Sequence, residues 1–396
     1  MSILYVSVER RYKYHNGNYY VQGIEDAAFF ARYLDIFTEI YVIARVEKVK
    51  EQPKGFKLFR NNHVHIEPIF TTGTGINNIT KILQINNKIK KSNASVILRT
   101  PGILSYLLSL YFVLFNIQFS LEVVTNPLQE AKNLTANKIL KKIFVIFFLS
   151  IFKMQLKKCQ YASFVTKNEI QRIFLSQKEY QSDRYNSYYS SILLNEGDSI
   201  SKENLNARIS RLNKAEEFHM LFIGVLDRPF KGLDIFLKIV STLPGNYYAT
   251  VIGDGHLLDN YKKMALSLNI IERVKFEGYI SDIETKHRIM SESDLFVLTS
   301  RREGLPRVII EAMAYGLPCF SSNVSGVAEL ISEDCIFPVD DWQAAVNIIT
   351  GKTSEDLIRL SKENLANSFQ YKNSILKKRR ADFYKKVIRS ENFTFE

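Results

Sequence analysis

Cysteine is scarce in these 396 residues: Cys159, Cys319 and Cys335 form an odd set with no metal-ligand spacing. Neither a disulfide framework nor a zinc site is expected, and the three read as reduced, buried thiols of a cytosolic protein. Long apolar stretches are missing too. The run Ile143–Phe152 has ten residues, about half of what a bilayer-spanning helix needs. The N-terminus passes straight into a strand-like segment, Ser2 to Val8, with no basic region ahead of an apolar run, so no secretion signal is expected. Acidic residues are deficient in one half only. Up to residue 196 there are 26 Lys and Arg against 14 Asp and Glu, and beyond it 27 of each, so the net charge of +12 resides in the first half. That division fits one domain facing an anionic partner through long-range attraction that salt weakens. A nucleic-acid partner is not expected, because no nucleic-acid motif occurs and the basic residues accompany an apolar run instead of a groove pattern.

The composition that is present, 46% hydrophobic with 12% aromatic, is globular, and the length suits two domains. In the first half, strand-like runs near Ile3–Val8, Ile40–Ala44, Val64–Ile69, Val96–Leu98, Leu121–Val124 and Ala162–Val165 alternate with helical patterns. Those helices are expected near Gly23–Leu34, Ile76–Lys90, Ile103–Phe115, Leu134–Leu156 and Lys167–Leu175. Such alternation predicts an α/β fold with a parallel sheet covered on both faces. The chain divides into a domain over 1–196, a polar linker over 197–217, a second domain over 218–372 and a basic helix over 373–396.

The stretch Thr299–Ile331 organises the second half. It reads as a strand end at Leu295–Leu298, a loop, a helix from Pro306 to Tyr315 and a further strand, with Pro and Gly316 placed where a helix starts and stops. Glu303 stands just ahead of the helix and Glu311 within it, near the end that attracts phosphate. Two glutamates at this separation, followed by Ala-Met-Ala-Tyr-Gly-Leu-Pro, resemble the signature of retaining glycosyltransferases of family 4. The resemblance implies a GT-B fold: two Rossmann-like domains with a cleft between them, and a C-terminal helix crossing back to the N-terminal domain.

It implies further that Glu303 lies against a donor sugar and that Glu311 hydrogen-bonds the ribose of a sugar nucleotide. The segment from Gly224 to Lys231-Gly232 resembles the family's phosphate loop, with Val225 where the family has arginine, so Arg228 is expected to reach the phosphates instead. By the same resemblance Gly253, Gly304, Leu305 and the main chain at Tyr279 and Ile280 border the nucleotide. On the acceptor side the candidates are Gly23, Gly17 and Asn126, in loops expected to follow strands of the first domain. No Asp-x-Asp pair occurs, which suits a metal-independent reaction with no cofactor beyond the nucleotide sugar.

The implied activity is transfer of a sugar from a nucleoside diphosphate sugar to a lipid-linked or saccharide acceptor of a cell-surface polysaccharide. A GT-B epimerase, a phosphorylase and a non-catalytic partner subunit are the alternatives. Residues 131–168 hold eight lysines and no acid. On a helical projection Lys138, Lys141, Lys142, Lys153 and Lys157 fall opposite Leu140, Ile143, Phe144, Phe147, Ile151 and Met154. This segment predicts a cytoplasmic protein held peripherally on the anionic inner face of a membrane.

Overall fold

A computed structural model of the chain describes residues 2–23, 26–71, 75–132, 138–214 and 216–389. It forms two compact units, Met1–Tyr189 with Lys377–Glu396, and Ser190–Leu376.

The first unit contains β1 (Ile3–His15), β2 (Asn18–Val21), α1 (Ala27–Leu34), β3 (Glu39–Lys48), β4 (Lys57–Leu58), β5 (Val64–Phe70) and α2 (Gly75–Ser92). It continues through β6 (Ser95–Thr100), α3 (Ile103–Leu114), β7 (Ser120–Val123), α4 (Pro127–Lys132) and α5 (Lys138–Lys158). The short elements β8 (Ala162–Phe164), α6 (Glu169–Phe174), α7 (Gln177–Tyr180) and β9 (Ser187–Tyr188) complete this part of the chain. Strands β5, β3, β1, β6, β7, β8 and β9 lie side by side in that order and pair in parallel. The order steps outward from β1 to both sides, which is a doubly wound sheet. Its strands are apolar on both faces, and Leu4, Val6, Val8, Ile40, Val42, Ile97, Leu98 and Leu121 are buried, as a sheet covered twice requires.

The loop expected after the first strand is instead a hairpin. Strand β1 runs on to His15 and turns through Asn16 and Gly17 into antiparallel β2. Both turn residues have positive φ, 45° and 82°, the conformation that a two-residue hairpin turn demands.

The second unit holds α8 (Lys202–Lys214), β10 (Phe218–Ile223), α9 (Leu233–Thr242), β11 (Tyr247–Ile252), α10 (Leu258–Ser267), β12 (Val274–Gly278) and α11 (Ile283–Glu292). Then come β13 (Leu295–Leu298), α12 (Arg307–Ala314), β14 (Cys319–Ser322), β15 (Ile336–Phe337), α13 (Trp342–Thr350) and α14 (Ser354–Ser368). Its sheet has the order β12-β11-β10-β13-β14-β15, all parallel. That order reverses between β10 and β13. Ligands of such sheets lie beyond the carboxyl ends of the strands at this reversal.

The segment 197–217, expected as a linker, is mostly the helix α8, packed within the second unit. Its low hydropathy hides a buried arginine. The Arg208 guanidinium donates to the carbonyls of Ser293 (2.8 Å), Met290 (2.7 Å), Ser291 (3.0 Å) and Tyr315, so it serves the C-terminal ends of both α11 and α12. Burial lowers its pKa to about 10, which leaves it protonated at neutral pH.

Helix α15 (Asn373–Arg389) begins in the second unit and from Lys377 onward belongs to the first, as the expected returning helix. There Tyr384 donates its hydroxyl to the buried Glu122 carboxylate at 3.1 Å, which also accepts from Tyr33 (2.8 Å) and Tyr189 (2.7 Å). Burial and this carboxylate hold the three phenols protonated far above their ordinary range.

Candidate active site

Two loops of the second unit converge at the strand reversal. The first leaves β10 at Gly224, whose N–H donates to Ile252 O at 3.0 Å, and ends in a tight turn over Pro229–Lys231. Gly232 follows with φ 71°, and a Cβ there would lie 2.0 Å from Thr299 O. A side chain at this position is therefore excluded by both backbone conformation and space. The second loop leaves β13 at Thr299, whose hydroxyl donates to Gly232 O at 2.8 Å. Arg301 fastens the two loops together. Its N–H donates to Phe230 O at 2.7 Å, and its guanidinium reaches Asp234 at 2.6 and 3.0 Å and Asp340 at 2.7 Å. Asp234 raises the Arg301 pKa above its ordinary value. Arg302 stacks its guanidinium over the Phe230 ring at 4.8 Å.

This scaffold brings Lys231 and Glu303 together, Nζ to Oε1 at 2.6 Å, and Ser300 Oγ donates to the same oxygen at 2.8 Å. The lysine and glutamate side chains are 19% and 15% exposed, so the pair is partly screened and still reachable. Glu311, one turn into α12, accepts through Oε2 from Lys286 Nζ of α11. Each predicted carboxylate thus has an ammonium partner within its own unit. Gly304, Leu305 and Pro306 lead from Glu303 into the first turn of α12, where unpaired N–H groups favour an anion. A Cβ on Gly326 would lie 2.8 Å from Gly304 O, so the loop at Gly326 supports this backbone closely.

Arg228 lies in extended conformation ahead of the tight turn, exposed and without an ion-pair partner among the described residues. Val225, in the position the family gives to arginine, is also exposed. Gly253 ends β11. Its N–H donates to Gly278 O at 2.8 Å, and a Cβ would lie 1.9 Å from Gly224 O, so its first duty is the close packing of two strand ends. After β12, Tyr279 stands out into solvent at 77% exposure and Ile280 is half-buried.

The acceptor-side candidates each have a local task in the first unit. Gly17 is the hairpin turn. Asn126 is buried, and its Oδ1 accepts from Leu128 N at 3.0 Å at the start of α4. Gly23 has φ 93°, and a Cβ there would lie 3.1 Å from the Arg10 guanidinium. Glu9, not singled out by sequence, sits where β1 and β6 diverge. Its Oε1 accepts from Ser105 N at 3.0 Å, and its carboxylate fills the space a Cβ on Gly102 would need.

Residues 205–363 match the model of the glycosyl transferases group 1 family. The fold of the chain is GT-B, with two Rossmann-like units. Protein CapJ of Staphylococcus aureus is 25% identical over 403 residues, which cover 98% of this chain and 97% of CapJ. The Escherichia coli UDP-Gal:alpha-D-GlcNAc-diphosphoundecaprenol alpha-1,3-galactosyltransferase is 30% identical over 121 residues, 30% of either chain. For two of the curated relatives the match spans 38% and 30% of their length. Among solved structures, Anabaena HepE in complex with UDP superposes with a TM-score of 0.63 at 15% identity, covering 97% of this chain and all of HepE.

Proposed function

We propose that the protein is a retaining, metal-independent glycosyltransferase of family 4 that moves a sugar from a nucleoside diphosphate sugar to a lipid-linked or saccharide acceptor of a cell-surface polysaccharide. One observation carries the reading: Lys231, Glu303 and the first turn of α12 meet at the strand reversal, where a diphosphate would find an ammonium and unpaired N–H groups. Lys231 then faces the charge that grows on the leaving diphosphate, with Arg228 free to join it. Glu303, which holds Lys231 in place, stands against the donor sugar, and Glu311 takes the ribose hydroxyls. HepE was crystallised with UDP, and the E. coli relative is named for a diphosphoundecaprenol-linked acceptor, which favours a nucleotide sugar and a membrane-borne acceptor here. The protein is then cytoplasmic and peripheral on the inner face of the membrane, held through residues 131–168.

Incubation with UDP-, GDP-, ADP- and CDP-sugars, with and without a polyprenyl-diphosphate saccharide, tests the assignment. A new product carrying the donor's anomeric configuration is expected. Donor converted to an isomer without acceptor would point to an epimerase, and no turnover or binding of any donor would refute the enzyme.

A further inference from the structure

Helix α3 carries no charged residue, and four of its side chains, Ile103 (52% exposed), Leu107 (57%), Leu110 (44%) and Leu114 (75%), face solvent. Their spacing of four, three and four places them on one stripe. The other side of the helix is core, with Leu104, Leu108 and Phe112 buried. On α5, Ile143, Phe144, Ile146 and Phe147 are exposed as well, while Ile151, Phe152, Gln155 and Leu156 pack inward. Four of the five apolar side chains from Ile143 to Phe147 are therefore open to solvent.

The two helices are fastened to one another. Gln155 Nε2 donates to Ser105 O and to Ser109 Oγ, each at 3.1 Å, and the Tyr106 and Phe148 rings stack at 5.3 Å. Phe148 in turn meets Phe144 and Phe147. The stripes on α3 and α5 thus belong to two helices joined within the first unit. Among the described residues no helix is long and apolar enough to cross a membrane.

We propose that α3 and α5 form one apolar plane that seats the protein in the outer layer of an anionic lipid surface, with α3 as an inserting element beside the lysine-bearing α5. The inference rests on the membrane-borne acceptor proposed above and adds the element that enters the lipid. Charge selects the occupant. Helix α5 has six lysines and no acid, and exposed Lys142, Lys153 and Lys157 fall within an arc of about 60° that also holds Ile146. The lysines thus flank the exposed apolar stripe at Ile146, while Ile143, Phe147 and Phe144 lie progressively further round the helix. Apolar side chains without hydrogen-bonding groups, flanked by ammonium groups, match acyl chains beneath anionic headgroups.

The test is sedimentation of the full chain with vesicles of phosphatidylcholine alone and of phosphatidylcholine with phosphatidylglycerol, at low and high salt. The parent should bind the anionic vesicles, with a fraction surviving high salt. Leu107→Glu with Phe147→Glu should weaken binding at least about tenfold at either salt, since two half-exposed apolar side chains lose their burial. Lys142, Lys153 and Lys157 changed together to Gln should remove only the salt-sensitive part. UDP titration of all variants should match the parent, which separates loss of docking from loss of fold or of the donor site. Parental vesicle binding by the Leu107→Glu, Phe147→Glu variant would overturn the proposal. So would a parent dimer that this variant turns into monomer without any vesicle binding, because the plane would then belong to a second copy. Absence of vesicle binding by the parent, with nucleotide-sugar turnover intact, would defeat the docking surface and leave the enzyme.

Discussion

Replacing Glu311 by Ala should weaken UDP binding about ten- to a hundredfold, because a hydrogen bond to a charged group contributes about 1.5–3 kcal/mol. The same carboxylate is paired with Lys286, so the ion pair has to be separated from the ribose contact. Side-chain exposures of 22% for Lys286 and 30% for Glu311 place the pair near the surface. A pair of that kind contributes about 0.2–1 kcal/mol, at most about a fivefold effect. Lys286→Met removes the pair and leaves the carboxylate, so it should change UDP affinity by no more than that factor. Calorimetric titration with UDP measures both, and thermal unfolding should show both variants folded with a small change in Tm. If Lys286→Met costs as much affinity as Glu311→Ala, or if Glu311→Ala binds like the parent, Glu311 serves the ion pair and not the ribose.

Lys231→Ala should lower kcat by about a hundred- to a thousandfold, as loss of one preorganised group at a developing charge does, with little change in the unfolding midpoint. Arg228→Ala should lower kcat in the same direction; full turnover in an initial-rate assay would show that Arg228 does not replace the arginine absent at Val225. Turnover should persist in excess chelator, and activity that vanishes there and returns with magnesium or manganese would refute the metal-free mechanism. Gly253→Ala forces a Cβ to 1.9 Å from Gly224 O and should cost at least about 1–3 kcal/mol in urea unfolding, whereas parental stability would mean that the two strand ends do not pack this closely.

Strands and helices with clear periodicity were legible along the chain, and so was the Glu303 to Glu311 motif, because Pro306 and Gly316 mark its helix. What escaped depends on partners far apart in sequence. Lys286 meets Glu311 across 25 positions and Arg301 meets Asp234 across 67, and no local pattern announces either. Helix α8 was hidden because, besides Leu212, the large group it buries is an arginine, which scores as polar although the carbonyls of Met290, Ser291, Ser293 and Tyr315 satisfy it. The Asn16-Gly17 turn did carry a local signal, since this dipeptide favours positive φ at both positions. The aromatic residues around it obscured the hairpin.

The Glu122 cluster bears on how the chain is made. Its phenols come from Tyr33, Tyr189 and Tyr384, so one is synthesised early, one midway and one almost last. Domains fold largely as they emerge, the N-terminal one first. Here the second unit, Ser190–Leu376, is completed before the first has all its parts. Until α15 arrives, the carboxylate holds Tyr33 and Tyr189 but lacks the third phenol, and one hydrogen bond to a charged group contributes about 1.5–3 kcal/mol. Proteolysis of chains released at successive lengths should find the first unit protected only once Tyr384 is present. A lesion late in the message would therefore reach back to the opening strands, which were translated long before it.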